Sequence, residues 1–570
     1  EQFLGKVIRL TPGHQAKVEE KPEVKKAGGV YYTPQFIVEY IVENTVGKLC
    51  KGKTPNKVSE LKILDPACGS GSFLLGAYDY LLKRHVDYYL KKDLKRLFDK
   101  IYEGKNGQYH LTIQEKKRIL LNNIYGVDID LQAVEVTKLS LLLKVLEGEN
   151  KDALEAQQKL FQERALPDLE NNIKCGNSLI GPDIYDSDLE LTSEHITRIN
   201  PFDWLNEFSR IMDGGGFDAI IGNPPYIRIQ RIGHLESDYI YKTYETPHSK
   251  TDLSQIFLEY SLKLAREKGI IGFISTSQWL STDYGKNMRK LLSDGKLHKI
   301  VDFGSLPVFK KASTYPAIFL LSPTPSNSLN HIKIENKDNL SLEGIKNTKI
   351  EQISFKNLSD SPWNLGELDI TNLLKIKKIE NQPLKTFGQA YIGVLTGMDK
   401  AFVVDKETTE KYNLESSLLI PYAYKGAEIF RYSEIKPKSF VIYPYTENEG
   451  GSPQLIPEND LKTNYPNIYS YLLSHREKLR ERKDSRKLYA LVDWYRQLRP
   501  GSFNYIHPKK LILKGIDKKV VIGQLNSETA FNGANCPGII INNLQKHSMF
   551  YILGILNSKL ISYHLKIVCP

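Results

Sequence analysis

Six consecutive residues, Gly222-Asn223-Pro224-Pro225-Tyr226-Ile227, concentrate more chemistry than any other stretch of this 570-residue chain. They follow the apolar run Phe217–Ile221, which reads as a buried strand. Two successive prolines fix φ and remove two N–H donors, which holds the Pro224 carbonyl in place, and Asn223 brings a side-chain amide beside it. Tyr226 adds a flat ring at the same place. With residue usages near about 5%, Asn-Pro-Pro-Tyr arises by chance at roughly 10⁻⁵ to 10⁻⁶ per position. The competing reading is a stiff Pro-Pro turn without chemistry.

Three further turns could hold a ligand. Asp65-Pro66-Ala67-Cys68-Gly69-Ser70-Gly71-Ser72-Phe73 follows Leu61–Leu64 and opens a helix. Its glycines let backbone approach a ligand, and the helix start offers unpaired N–H groups. Gly-x-Gly alone is more often a structural turn. Gly126-Val127-Asp128-Ile129-Asp130 ends a second strand in carboxylates, and an acid there can bind both hydroxyls of a ribose. Asp128 lies 59 residues after Gly69, well beyond the usual ~20, because a charged insert follows Leu82. Asp130 could equally cap a helix. Cys175-Gly176-Asn177-Ser178-Leu179 ends a third strand, and the Asn177 amide both accepts and donates.

These turns need a sheet to hold them. Strands are expected at 61–64, 122–130, 171–181, 217–222, 270–276, 298–304 and 315–322. Helices are expected between them, including 131–146 and 254–269. Strands alternating with helices predict an α/β doubly wound fold. Residues 83–120 read as a charged helical insertion and 148–170 as a polar helix. Thr33-Pro34 sits at the start of a helical pattern (Phe36, Ile37, Tyr40, Ile41, Val46), with Thr33 a candidate N-cap. The first ten residues read as part of an amphipathic helix, and 17–29 as a linker. Glu1, not Met, begins the chain, so an excised piece of a longer protein is expected. Residues 331–370 are polar and Asn/Ser/Lys-rich, a boundary. Beyond 370 come short strands, Tyr-rich stretches and one basic helix.

Taken in this order, the motifs resemble those of the S-adenosylmethionine-dependent DNA adenine-N6 methyltransferases of the gamma arrangement. Within them the chain is most similar to the methylase and specificity portion of type IIG restriction-modification enzymes. The resemblance covers about residues 30–325 well and 370–570 more loosely. It implies a class I methyltransferase fold, a Rossmann-like doubly wound sheet with a reversed last strand, over 30–330. It implies a mixed α+β target recognition domain over 371–570, truncated at its C-terminus, with 1–29 a helical connector. Carried onto this sequence, Tyr31-Tyr32-Thr33-Pro34 matches the upstream cofactor motif, with Thr33 at the methionine carboxylate. Asp65, Ala67, Gly69 and Gly71 surround the methionine end of the cofactor. Phe73 lines the pocket or serves the core. Asp128 is the ribose acid with Ile129 beside it, and Asn177 meets the adenine, where many relatives carry Asp.

The resemblance makes Asn223, Pro224, Pro225 and Tyr226 the catalytic loop. An exocyclic adenine amine is a poor nucleophile, its lone pair delocalised into the ring. The Asn223 oxygen and the Pro224 carbonyl would accept its two hydrogens and favour a pyramidal nitrogen. Methyl transfer releases a neutral thioether, so no metal is expected in this chain; Mg would serve only a nuclease. The amine lies inside the duplex, so the base must flip out. Tyr226 would stack on it from one side and Phe309, ahead of the strand Ala317–Phe319, from the other. The alternative for Phe309 is core packing.

Charge separates the chain into two halves. Residues 371–570 hold 29 basic and 18 acidic residues, so the net +11 of the whole chain lies entirely there. That marks a candidate polyanion-binding face or the solvated surface of a basic domain, and the resemblance implies double-stranded DNA as the polyanion. Ser474–Lys487 carries seven basic and three acidic residues on an expected helix. Arg476, Lys478, Arg480, Arg482, Lys483, Arg486 and Lys487, with Arg496 and Arg499 after it, are the candidate DNA contacts. A solvated helix laced with ion pairs is the alternative.

Composition excludes several classes. Hydrophobic residues are 41% and charged residues 25%, ordinary for a globular protein. The five cysteines show no CxxC or Cys/His spacing, against a zinc deaminase site. No apolar run approaches a membrane span, and a monomer in a reducing cytoplasm is expected. No Pro-Asp…(Asp/Glu)-x-Lys nuclease core in strand context is found, so no cleavage by this chain is expected, although a parent protein would carry a nuclease. The competing functions are a DNA-specificity module without methylation, and methylation of cytosine N4, RNA adenine or glutamine N5.

Overall fold

The computed structural model describes residues 33–93, 97, 99–104, 107–147, 166–186, 192–309, 315–363, 365, 384–482, 493–515, 520–534, 536–541 and 548–562, and the backbone of two N-terminal strands. The chain divides into two compact units, Glu1–Gly366 and Glu367–Pro570.

The N-terminal strands are β1 (Lys6–Leu10) and β2 (Ala16–Glu20), paired antiparallel with Ile8 opposite Val18. This corrects the expected helical connector. Val7 and Ile8 are β-branched, and Pro12-Gly13 between the two segments is a turn dipeptide that no helix interior tolerates well. Helix α1 (Gln35–Val42) follows and buries Ile37, Val38, Tyr40, Ile41 and Val42. Strand β3 (Ile63–Asp65) leads into helix α2 (Ser72–Tyr89). The insertion expected to be helical contains a hairpin, β4 (Ile101–Glu103) and β5 (Tyr109–Leu111), before helix α3 (Ile113–Asn123). Then come β6 (Ile124–Asp128), helix α4 (Leu131–Leu146), β7 (Ile173–Cys175) and β8 (Phe217–Gly222). Helix α5 (His234–Thr243) and helix α6 (Leu253–Leu264) precede β9 (Ala265–Thr276), β10 (Leu297–Asp302) and β11 (Pro316–Leu321). Most of the polar helix expected at 148–170 lies outside the described residues.

With β12 (Ser328–Lys333) and β13 (Glu351–Ser354), these strands from β3 onward, the β4–β5 hairpin aside, form one mixed sheet in the order β13-β12-β10-β11-β9-β8-β3-β6-β7. Strands β7, β6, β3, β8 and β9 run parallel, and β11 runs antiparallel to both β9 and β10. The two outer strands, β12 (Ser328–Lys333) and β13 (Glu351–Ser354), correct the expected boundary at 331–370. That polar stretch extends the sheet instead, because an edge strand needs an apolar residue only at alternate positions.

Both faces of the sheet are covered. In β11, Ile318 and Leu320 enter one core, while Ala317, Phe319 and Leu321 enter the other. In β8, Ala219 and Ile221 divide in the same way from Phe217 and Ile220. Successive side chains point to opposite faces, so a strand covered on both sides must be apolar throughout.

One buried side chain in the outer strands is ionisable. His331 of β12 is 2% exposed, neither ring nitrogen has a hydrogen-bond partner, and Glu351 Oε2 lies 3.9 Å from Nδ1. Burial pushes its pKa down from 6.5 to about 4, with Lys333 adding to the effect. The unfolded chain therefore takes up a proton near pH 6.5 that the folded chain refuses until near pH 4. Stability falls as pH drops through that window, by roughly 2 kcal/mol between pH 7 and 5. Native-state proteolysis at the two pH values should show His331→Leu losing that much less than the parent protein. A gap between the two proteins that does not change with pH refutes the assignment.

The second unit is α+β. One sheet has the order β14 (Gly388–Tyr391), β23 (Gly538–Ile541), β20 (Lys510–Leu513), β21 (Ile522–Leu525). A second has the order β15 (Val403–Asp405), β17 (Ser439–Ile442), β16 (Leu419–Ala423), β22 (Ala530–Phe531). A hairpin of β18 (Tyr445–Glu447) and β19 (Pro453–Leu455) completes the strands. Its helices include α7 (Pro466–Leu473), the short α8 (Arg476–Arg480) and α9 (Met549–Leu556). No helix among the described residues is long and apolar enough to cross a membrane.

Candidate active site

The carboxyl ends of β7, β6, β3 and β8 lie side by side and carry Asn177, Asp128, Asp65 and Asn223 in that order. Strand β3 pairs with β6 on one side and β8 on the other, so the chain order reverses at β3. Ligands of open parallel sheets bind outside such a reversal.

Asp65 closes β3 at 1% exposure, and its Oδ1 accepts the Ala67 N–H at 3.1 Å. Gly222 closes β8 opposite it. A Cβ there would stand 2.6 Å from the same Asp65 oxygen, which requires glycine. The turn after Asp65 is tied to β6, with Cys68 N–H donating to Val127 O at 3.0 Å and Gly69 N–H to Asp128 Oδ2 at 2.8 Å. Gly71 caps α2 at φ 84, and a Cβ on it would meet the Thr137 methyl at 2.9 Å.

Asp128 Oδ1 accepts the Asp130 N–H at 2.9 Å, so each of its oxygens holds one backbone donor. Burial raises its pKa, and the Asp130 and Gly69 N–H groups oppose that rise. Asp130 is the N-cap of α4 and accepts the Gln132 N–H. Ile129 is 53% exposed beside it. Asn177 is half-buried, and its Oδ1 already accepts the Leu179 N–H at 3.2 Å. Ser178 fastens this turn to the first by donating to Pro66 O at 2.5 Å.

The loop after β8 reaches back to the chain's beginning. Asn223 Nδ2 donates to Thr33 Oγ1 at 3.0 Å. Thr33 is 3% exposed and is not the helix cap expected of it: Pro34 occupies the N-cap of α1, and no side chain caps it. Beyond the loop, Leu253 N–H donates to Ile227 O at 2.9 Å and Ile229 N–H to Thr251 O at 3.0 Å. Asp252 anchors this junction by accepting from the Ser254 N–H at 3.0 Å and from Thr276 Oγ1 at 2.7 Å.

Tyr226 and Phe309 are neighbours, with ring centroids 6.1 Å apart and planes at 73°. That edge-to-face pair is not yet a sandwich, which needs parallel rings. Phe73, at 3% exposure, is a core residue, so its pocket-lining reading is replaced by packing. Tyr31, Tyr32, Lys483, Arg486 and Lys487 lie outside the described residues.

Sequence reasoning missed three positions that hold the site: Thr137, Ser178 and Asp252. Thr137 is fully buried and donates to Gly69 O at 2.8 Å. A polar residue on an otherwise apolar helix face was the only available signal. A cavity of about 610 Å³ between α1, α2 and α4 meets the site only at Thr33 and Ser72, so it lies beside the chemistry. No group of three His, Cys, Asp or Glu placed to hold a metal occurs among the described residues.

In the second unit the basic candidates separate by environment. Arg482 donates to the carbonyls of Leu479, Thr396, Trp494 and Arg496, which commits its guanidinium to the fold rather than to a ligand. Arg476 stacks over Trp494 at 5.3 Å, and Arg496 lies 3.6 Å from Asp493. Arg480 is half-buried, whereas Lys478 and Arg499 are exposed.

Residues 122–309 match the Eco57I restriction-modification methylase family, and residues 19–168 match the N-6 DNA methylase family. The chain is 29% identical to the type II restriction enzyme and methyltransferase RM.Eco57I of Escherichia coli, covering 99% of this chain and 57% of that protein. It is 26% identical to the type II methyltransferase M.BstVI of Geobacillus stearothermophilus, over 85% of this chain and 77% of that protein. Among solved structures, the type IIL restriction-modification enzyme MmeI in complex with DNA matches in fold, with a TM-score of 0.57 at 14% identity over 92% of this chain and 62% of that one. The chain thus spans a little over half the length of RM.Eco57I.

Proposed function

We propose that this chain, a member of the adenine-N6 DNA methylases of restriction-modification systems, transfers a methyl group from S-adenosylmethionine to N6 of an adenine turned out of duplex DNA. It would form the modification and specificity part of a type IIG enzyme, with the first unit as a class I methyltransferase and the second as the target recognition domain. The observation that carries the reading is the position of Asn223. It leaves β8 beside buried Asp65, its NH₂ is held by Thr33, and its Oδ1 has no partner among the described residues.

The residues present suit this cofactor. Asn177, Asp128 and Asp65 lie on adjacent strands in the order adenine, ribose and amino-acid portion would require. Asn177 would meet the base, Asp128 the ribose hydroxyls, and the turn Ala67–Gly71 with Asp65 and Thr33 the methionine end. When bound, S-adenosylmethionine supplies a methyl group on a positive sulfur that departs as a neutral thioether. The protein's part is to prepare the amine. Asn223 Oδ1 and the Pro224 carbonyl would accept hydrogen bonds from the two N6 N–H groups, drawing the nitrogen lone pair out of the ring, and the methylated nitrogen would then release one proton to water. The two prolines keep that carbonyl from swinging away. Tyr226 would stack on the extruded adenine, and Phe309 would turn to face it.

The direct test is incubation with labelled S-adenosylmethionine and diverse duplex DNA, followed by identification of the methylated nucleoside. N6-methyladenine in one sequence context is expected. Its absence at every site refutes the proposal.

The second unit's DNA role separates exposed from committed cations. Lys478→Ala and Arg499→Ala should each weaken binding across sequences and reduce the salt dependence by about one counterion. Arg482→Ala should instead lower the unit's melting temperature, since four carbonyls lose their donor. A salt slope unchanged in both exposed variants removes them from the interface.

A further inference from the structure

Asn223 and Thr33 are 190 residues apart in sequence, and the hydrogen bond between them joins the catalytic loop to the start of α1. Thr33 is buried, and its hydroxyl does not cap its own helix. The helix behind it is fixed, since five of its eight residues are buried in the core. A Thr hydroxyl so placed is a rigid partner for whatever it meets, and what it meets is the NH₂ of Asn223.

That choice of atom decides the chemistry. A side-chain amide presents an acceptor on one side and two donors on the other. With Nδ2 turned toward Thr33, Oδ1 is the atom left for a substrate. With the amide turned over, the NH₂ would face the two N–H groups of an adenine amine, donor against donor. We propose that Thr33 is the positioning residue that sets the amide orientation of Asn223. This rests on the reading of Asn223 as the acceptor for adenine N6. The Thr33 hydroxyl keeps one proton of its own to give. An anionic group of the bound cofactor would accept a hydrogen bond from that O–H and leave the hydroxyl only its lone pairs for Asn223, so cofactor binding would reinforce the productive orientation.

Thr33→Val keeps the shape and removes the hydroxyl, and Thr33→Ser keeps the hydroxyl. The measurements are the single-turnover methylation rate of the full chain at saturating S-adenosylmethionine, and the dissociation constant of S-adenosylmethionine by calorimetry. At saturating cofactor Thr33→Val is expected to be slower by about ten-fold, the loss of one oriented hydrogen bond. Thr33→Ser should recover most of that rate. Combined with Asn223→Ala, Thr33→Val should cost nothing further, because there is no amide left to orient. Three results overturn the proposal. They are a wild-type rate in Thr33→Val, an equal loss in Thr33→Ser, and a loss confined to the cofactor dissociation constant that vanishes at saturation. Failure of the underlying reading looks different: the unaltered chain would form no N6-methyladenine at all.

Discussion

Asn223→Ala is expected to reduce methyl transfer by at least about 10³-fold, some 4 kcal/mol of transition-state stabilisation, while S-adenosylmethionine and DNA still bind within a few-fold of the parent. The truncation removes Oδ1, the acceptor that has no partner among the described residues. It leaves the Pro224 carbonyl, the Tyr226 ring and the strand-end carboxylates in place. The signature is a fall in kcat with little change in KM, because the lost interaction strengthens only as the amine becomes pyramidal. Retained turnover in this variant would remove Asn223 from the chemistry.

Asp128→Ala should act at the other end of the site, on cofactor affinity. Its two oxygens each hold a backbone N–H, Gly69 at 2.8 Å and Asp130 at 2.9 Å. The alanine variant therefore loosens the Gly-rich turn as well as deleting the proposed ribose acceptor. Two charge-assisted hydrogen bonds are worth about 3 kcal/mol together, so the dissociation constant for S-adenosylmethionine should rise by about 100-fold. Asp128→Asn keeps one acceptor and should fall between. Burial also raises the Asp128 pKa. Affinity should consequently decline on acidification at a higher pH than an ordinary aspartate would dictate, since the protonated form accepts less well. Calorimetry across pH checks both statements, and wild-type affinity in Asp128→Ala defeats the assignment.

The central strands and the motif loops were legible because their signals are local. Phe217–Ile221 is apolar throughout, as a strand covered on both faces must be, and the Asn-Pro-Pro-Tyr loop follows it directly. The Asp130 cap and the glycines at 69 and 71 obey the same short-range rules. Weakly patterned elements were not legible. The hairpin of β1 and β2, the hairpin inside the insertion, and the edge strands β12 and β13 each depend on a partner elsewhere in the chain. Strand pairing stabilises a segment whose own residues only tolerate it.

Site residues divide along the same line. Residue type and order placed carboxylates, amide and prolines at strand ends, and the resemblance of those motifs to a known family implied the class of chemistry. Charge counted along the chain assigned the excess of cations to the last 200 residues. Which cation is available was decided by the fold, since the carbonyls of Leu479, Trp494, Arg496 and the distant Thr396 converge on Arg482, while Lys478 and Arg499 stay exposed. Phe73 went to the core for the same reason, because its helix face is set by packing and not by its neighbours in sequence. The Thr33–Asn223 hydrogen bond is the furthest from any sequence signal. A hydrogen bond requires atoms within about 3 Å, and only the closing of the sheet around β3 and β8, with α1 docked in the core, brings two residues 190 positions apart to that distance.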